Sequence, residues 1–318
     1  MYTLVDKKNK IYYVNGKIIK HIPINKYGID GLIESCIMRQ IKHPYINHAE
    51  YSYCDRKGLY IVQKAAIDNY YKWRLRNIPD RKRMMMYINQ LISAVKILHD
   101  LNIIHGDIKS QNILMYEDGI RLSDFSHSTK YTWNREYICC TSTHRPIEVW
   151  LGNVWNEKVD IWALGCTIFE MVYGYSLFAD QSMMYSDKLK DRYINAIRYW
   201  SGKHTDIDFI KPLLPDCFDP SDPINKLILS CLKYNPYDRY IDTEICDNLE
   251  PIFTRYGYTD IVDDSIIEYV NRLSSRGIDY NSALWLSYKM IKRKCPSEYT
   301  IDLDDEVNIC NRLNCVLW

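Results

Sequence analysis

"NIIHGDIKSQNILMYEDGIRLSDFS", residues 102–126, holds the densest chemistry in the chain and decides its fold. Two short apolar runs, "ILM" and "IRLS", read as strands. Asp107, Lys109 and Asn112 lie in the loop before the first run, and Asp124 follows the second. Strands this short bring the loop and the later aspartate to one place. Two carboxylates and a side-chain amide are oxygen donors for a hard cation, and Lys109 sets a positive charge beside them. Mg²⁺ carrying a nucleotide phosphate fits that set. A lone Asp in such a loop is more often a turn or capping residue. The ordered set is what lifts this stretch above that reading.

Outward toward the N-terminus, "YTLV" and "KIYYV" are short and rich in β-formers, with "KKN" as the turn between them. Asn15-Gly16 is a strong two-residue hairpin signal. "KIIKHIPI" alternates as a third strand. Ile33, Ile37 and Ile41 recur at helical spacing and predict a helix over 30–42. "YSYCDRKGLYIVQKA" reads as two strands joined through Lys57 and Gly58. From Arg81 the period changes. Ile88, Leu91, Ile92, Val95 and Leu98 mark an amphipathic helix, and "VDIWALGCTIFEMV", apolar on nearly every side, reads as a helix buried mid-domain. Prolines 212, 215, 220, 223 and 236 then break the chain into short pieces. Strands first and helices after predict an α+β protein of two lobes, with a ligand cleft expected between them.

The bulk composition excludes several classes. The chain has 318 residues, enough for one large domain or two medium ones. Lys plus Arg is 41 against 40 for Asp plus Glu, so there is no overall charge footprint for nucleic acid or a membrane surface. No apolar run reaches the roughly 18 residues of a spanning helix, and "MYTLVDKKNK" lacks the apolar core of a signal peptide. Eleven cysteines without CxxC pairing point to reduced thiols in a cytoplasmic protein. The cluster Lys289, Lys292, Arg293, Lys294 reads as a solvated helix face. Twenty-eight tyrosines against 12 glycines, with many Ile, Asn and Lys, suggest an AT-rich genome. A large DNA virus or a parasite would be such a source, and for a virus the host cytoplasm or virion would be the setting.

"IIHGDIKSQNIL" resembles the catalytic loop of the eukaryotic protein kinases, HRDxKxxN, and "SDFS" resembles their DFG. "HRPIE" is similar to the end of their activation segment, "VDIWALG" to the DxWxxG of their central helix, and "CLKYNPYDRY" to the segment that carries a buried arginine. These motifs stand in family order across residues 99–240. "HRPIEVWLG" and "VDIWALGCTIFEMV" lean toward the cyclin-dependent and SR-protein kinase group. The resemblance implies a bilobal fold, with an N-lobe over 1–66, a C-lobe over 67–250, and a helical extension over 251–318. It implies a protein Ser/Thr kinase that uses ATP with Mg²⁺ or Mn²⁺ and acts on a protein substrate.

It also implies roles. Asp107 accepts or orients the substrate hydroxyl proton, Lys109 neutralises the transferring phosphoryl group, and Thr141 bridges the two. Asn112 and Asp124 hold the metal. Glu148 pairs with Arg239, and Asp160 caps the catalytic-loop backbone. In the N-lobe, Glu34 is the αC glutamate. Its lysine is Lys20, with Lys17 as the competitor. Gln63 stands at the gatekeeper position, and Lys64, Ala65 and Ala66 form the hinge to the nucleotide.

The pattern also departs from the family. The turn "DKKN" has no glycine amides for the phosphates, although Lys7 or Lys8 could serve as point charges. Ile18 stands where a small residue is usual. Gly106 replaces the arginine that holds activation-loop phosphate on a residue such as Thr143 or Tyr137. Ser126 replaces the DFG glycine, whose backbone freedom is usual there. These changes keep a pseudokinase scaffold in view as the alternative. In the tail, three apolar stripes read as helices. They are expected to pack on the lower lobe or, as a partial cyclin-box likeness, to reach the αC helix near Glu34 and hold its pairing with Lys20; a regulatory protein partner is a further expectation.

Overall fold

The computed structural model describes residues 3–6, 10–55, 57–130, 139–178, 210 and 213–242. The turn lysines Lys7 and Lys8, Tyr137, and the whole 251–318 extension lie outside these residues. The chain divides into two compact units. Among the described residues, those up to Lys42 and from His48 to Ala65 belong to the first, and residues 43–47 with those from Ala66 to Asp242 belong to the second.

The first unit is a five-stranded antiparallel sheet in the order β1-β2-β3-β5-β4, with one helix. Its strands are β1 (Thr3–Asp6), β2 (Ile11–Val14), β3 (Lys17–Pro23), β4 (Tyr51–Asp55) and β5 (Gly58–Lys64). The Asn15-Gly16 turn puts both residues at positive φ, 48° and 77°, the geometry that a tight two-residue hairpin demands. Register pairs Ile18 with Gln63 and Lys20 with Ile61. Helix α1 (Ile24–Gln40) starts six residues before the predicted one. Ile24 extends the alternating run of β3, so periodicity assigns it to the strand. Pro23 instead ends the strand and stands at the N-cap, because its fixed φ of −63° suits the entry to a helix. Helix α1 is buried from Gly31 to Met38, Ile33 and Ile37 included, Ile41 is buried just past its end, and the Ser35 hydroxyl donates to Ser52 of β4 at 2.9 Å.

The second unit is mostly helical. It contains β6 (Asp68–Asn69), α2 (Tyr70–Arg74), α3 (Arg81–Asp100), β7 (Ile103–Ile104), β8 (Ile113–Tyr116), β9 (Gly119–Leu122), β10 (Thr129–Lys130), α4 (Ile147–Trp150), α5 (Lys158–Tyr173) and α6 (Pro223–Cys231). Asp80 caps α3 by accepting from the Arg83 amide at 2.8 Å. The predicted stripe of α3, Ile88 to Leu98, is wholly buried. Helix α5 buries every residue from Val159 to Met171, as its all-round apolarity requires. Gly165 allows α6 to close on it, since a Cβ there would stand 2.7 Å from the Cβ of Cys231. The hairpin β8–β9 and the two-residue pair β7–β10 frame the loop that carries Asp107.

The short helix α2 has no counterpart in the periodicity. Five residues are too few to show a stripe. It is held by the Asn69 cap, which accepts from the Lys72 amide at 2.9 Å, and by Trp73 and Tyr70 packed edge-on against Tyr87 of α3. None of the described cysteines forms a disulfide. No described helix is long and apolar enough to cross a membrane.

Candidate active site

The loop between β7 and β8 is fixed from below by Asp160, in the first turn of the buried α5. Its carboxylate is fully buried and accepts from the amides of His105 at 2.7 Å and Gly106 at 2.9 Å. His99 Nε2 lies 3.0 Å from the same carboxylate. A buried anion gathering three donors makes a rigid anchor, because losing any one would leave a charge unsatisfied. His105 is pinned in turn. Its Nδ1 accepts from the Asp107 amide at 3.2 Å, so Nε2 carries the proton toward the Ser123 carbonyl at 3.1 Å. Full burial lowers the imidazole pKa and keeps the ring neutral, which suits this tautomer. Phe125, wholly buried, meets the His105 ring edge-on at 5.2 Å.

Asp107 is 5% exposed, and its carboxylate oxygens accept from four donors. Oδ1 accepts from the Thr141 hydroxyl at 2.7 Å and the Thr141 amide at 3.0 Å. Oδ2 accepts from Lys109 Nζ at 2.6 Å and Asn112 Nδ2 at 3.0 Å. Lys109 also donates to the Thr141 hydroxyl at 2.7 Å, closing a triangle of carboxylate, ammonium and hydroxyl. Burial pushes the Asp107 carboxyl upward. The charge and hydrogen bond of Lys109 and the hydroxyl of Thr141 outweigh it, so its pKa lies below the ordinary carboxylate value. The carboxylate is therefore ionised at neutral pH and aimed by its neighbours.

Asn112 spends both described Nδ2 bonds on Asp107, one to the backbone carbonyl at 2.8 Å and one to the side chain. That orientation leaves its Oδ1 as the atom that could meet a cation. The Asn112 carbonyl takes two bonds from Ser123, amide at 2.9 Å and hydroxyl at 2.8 Å, which ties the second aspartate's strand to the loop. Asp124 has left-handed backbone, φ 64° and ψ 75°, and its Oδ1 accepts from the Ser126 hydroxyl at 2.9 Å. An amide oxygen and a carboxylate are hard donors, so this pair fits Mg²⁺ or Mn²⁺.

The two family departures in this loop look different in three dimensions. Gly106 has φ 76°, and a Cβ there would come within 2.7 Å of the His127 carbonyl. Glycine is thus the residue this backbone accepts without strain. Ser126 is not among the residues at positive φ, so serine carries no backbone strain there. The loss of loop freedom expected from its sequence does not bear on this conformation.

In the first unit, Lys20 Nζ bonds both carboxylate oxygens of buried Glu34, at 2.8 and 2.9 Å. Lys17 pairs instead with Glu50. Lys17 and Lys20 are an odd number of residues apart and project from opposite faces of β3, and only the Lys20 face carries α1. Gln63 is half-buried and Lys64 exposed on β5, whereas Ala66 lies in the second unit.

Elsewhere in the second unit, Arg239 is fully buried and bidentate on Glu148, at 2.6 and 2.8 Å. Its other donors reach the carbonyls of Lys233, Lys158 and Tyr234. The periodicity missed Arg145. Its guanidinium donates to the carbonyls of Cys139 and Cys140 and lies 4.3 Å over the Trp150 ring. It sits inside "HRPIE", but spacing cannot reveal that its partners are backbone carbonyls. Cys140, at φ 66°, turns its carbonyl toward that arginine.

Residues 2–249 match the family described as Protein kinase domain. The catalytic subunit 3 of cAMP-dependent protein kinase from Drosophila melanogaster is 31% identical over 46% of this chain and 26% of its own length. Aurora kinase B from Xenopus tropicalis is 28% identical over 57% of this chain and 52% of its own. A probable cell division protein kinase from Encephalitozoon cuniculi is 30% identical over 53% and 62%. The matched stretches thus span from about a quarter to under two thirds of these relatives. Among solved structures, the yeast RNA Pol II CTD kinase complex superposes with a TM-score of 0.61 at 19% identity, covering 77% of this chain and 90% of that one. At that identity the likeness concerns the fold.

Proposed function

The chain belongs to the protein kinase family, and we propose that it transfers the γ-phosphate of ATP to a serine or threonine hydroxyl of a protein substrate. The observation that supports this best is the closed triangle of Asp107, Lys109 and Thr141, with Asn112 braced on the same carboxylate. Asp107, ionised and held by four donors, accepts or orients the proton of the substrate hydroxyl. Lys109 sets its ammonium beside the place where charge passes to the transferring group. Thr141 keeps carboxylate and ammonium in register. Asn112 Oδ1 and Asp124 would hold Mg²⁺ or Mn²⁺, which neutralises phosphate charge when bound. Lys20, steadied by Glu34, would contact the nucleotide phosphates, and Gln63, Lys64 and Ala66 would border the base. A cytoplasmic setting, a viral source and a regulatory protein partner belong to the same reading and rest on composition and on the 251–318 tail.

Two sequence features favour a second reading. The glycine-free "DKKN" segment would withhold amides from the phosphates and Ile18 would narrow the nucleotide slot, and a scaffold without transfer would tolerate both. Purified protein, labelled ATP, Mg²⁺ and a panel of acidic and basic protein substrates decide between them. The kinase reading requires label on serine or threonine and a loss of several hundredfold or more in Asp107→Asn. No transfer above the Asp107→Asn background would establish the scaffold.

A further inference from the structure

We infer that the adjacent thiols of Cys139 and Cys140 are a site of reversible oxidation, closed into a disulfide by a peroxide, and that closing it draws Thr141 away from Asp107. The part that concerns phosphate transfer rests on the kinase reading above. The two sulfurs lie 3.5 Å apart. Both residues are buried, in one apolar cluster with Ile104, Val149 and Val159. Neighbours on extended backbone send their side chains to opposite sides. Here Cys140 is left-handed, φ 66°, and the two thiols meet on one side. A non-glycine residue held in that region stores strain, and such strain gathers at functional sites.

The same stretch is tied to the catalytic loop by its backbone. The Cys140 amide donates to the Gly106 carbonyl at 2.7 Å. The Arg145 guanidinium takes the Cys139 and Cys140 carbonyls. The next amide, that of Thr141, donates to Asp107 Oδ1 at 3.0 Å, and the Thr141 hydroxyl donates there at 2.7 Å. The thiol pair therefore stands one residue from the triangle, on backbone fixed at both ends.

A disulfide needs sulfurs about 2.0 Å apart and Cα atoms usually about 4.4 Å apart or more. Neighbouring Cα atoms are only about 3.8 Å apart across a trans peptide. Closing the bond therefore twists the backbone at Cys139 and Cys140, and the twist passes to the peptide that carries the Thr141 amide. A disulfide strained in this way is easily reduced, as regulatory disulfides are and structural ones are not. In the step itself, one sulfur attacks a peroxide oxygen, the O–O bond breaks, and the sulfur becomes a sulfenic acid while hydroxide leaves as water with that thiol's proton. The second sulfur then displaces hydroxide from the first, which leaves as water with the second thiol's proton. The two thiols lose two electrons and the peroxide gains them. The hydrogen bond with Cys139 and burial push the Cys140 thiol pKa well up. The attacking species is a thiolate, so closure is slow at neutral pH and quickens as pH rises.

The test treats the full chain with hydrogen peroxide, alkylates the remaining thiols, and weighs the tryptic peptide of residues 136–158, in which Cys139 and Cys140 are the only cysteines. The expected peptide carries no alkyl group and has lost two hydrogens, and dithiothreitol restores both alkylation sites. Transfer to a protein substrate should fall by about tenfold or more and recover with dithiothreitol. Cys139→Ala and Cys140→Ala should each keep their own starting rate after the same treatment. Two alkylated thiols after peroxide, or sulfinic and sulfonic acids in their place, overturn the site. A disulfide that leaves the rate unchanged overturns the link to Thr141. If the reduced chain transfers no phosphate, the kinase reading fails by itself; a thermal midpoint that falls on oxidation and recovers with dithiothreitol then supports the strained closure, and an unmoved midpoint overturns it.

Discussion

Thr141→Val removes one hydroxyl and keeps the side chain's shape, so it isolates the bridge between Asp107 and Lys109. Two bonds go, the donor bond to Asp107 Oδ1 and the acceptor bond from Lys109 Nζ, both at 2.7 Å. Hydrogen bonds to charged groups are worth about 1.5–3 kcal/mol each. The loss should be nearer one bond than two, because Lys109 keeps Asp107 Oδ2 and the Thr141 amide keeps Oδ1. If that energy is expressed in the transition state, kcat falls by about 10- to 100-fold. A second readout separates this from a general defect. The Thr141 hydroxyl is among the groups that hold the Asp107 carboxyl below its ordinary pKa. Removing it raises that pKa, so the acid limb of the rate profile must move toward higher pH. The sign for stability agrees. A depressed carboxyl contributes stability above its unfolded pKa of about 3.9 and loses it as pH falls through the folded value. Thr141→Val reduces that contribution and should make the protein less resistant to acid. Thr141→Ser should restore both rate and profile. Steady-state transfer to a protein substrate across the acid range gives the answer. An unshifted acid limb in Thr141→Val, with Asp107→Asn inactive, would refute the claim that the hydroxyl acts through the carboxylate.

Glu148→Ala leaves Arg239 buried and uncompensated, so unfolding free energy should fall by about 3–5 kcal/mol, read as a lower urea midpoint; a loss under about 1 kcal/mol would show the arginine satisfied by carbonyls alone. Lys20→Met should weaken nucleotide binding by about tenfold or more, one charge-assisted contact's worth. Lys17→Ala should change it little, because its ion pair with Glu50 is largely exposed; calorimetry giving the reverse order would reassign the lysine. Gly106→Ala forces a Cβ into left-handed backbone and toward the His127 carbonyl, costing about 1–3 kcal/mol; an unchanged thermal midpoint would mean the loop can relax at no cost.

Much of this protein is legible in one dimension because the signals are local. The stripe of α3 and the all-round apolarity of α5 are periodicities within one helix. The hairpin at Asn15-Gly16 is a property of two residues. The kinase likeness is carried by short motifs whose internal spacing is fixed, so Asp107, Lys109, Asn112 and Asp124 could be named from the chain alone. Other features depend on partners far away in sequence or on backbone angles, and no local pattern records either. Lys20 is preferred to Lys17 only by its spacing from Glu34 until the fold gives Glu50 to one and Glu34 to the other. Thr141 meets Asp107 across 34 residues and Arg239 meets Glu148 across 91; the family resemblance implied both pairs, while periodicity and spacing carry neither. The boundary at Pro23 and the five-residue α2 are set by a cap and by aromatic packing rather than by a period. Gly106 and Ser126 read as losses against the family pattern. Only the folded backbone, with φ 76° at Gly106 and Ser126 outside the left-handed region, makes one the residue its conformation accepts and the other a hydroxyl in reach of Asp124. Sequence determined which groups are present and in what order. Tertiary structure decided which of them meet, because a side chain's partner depends on the path of the whole chain and not on its neighbours in line.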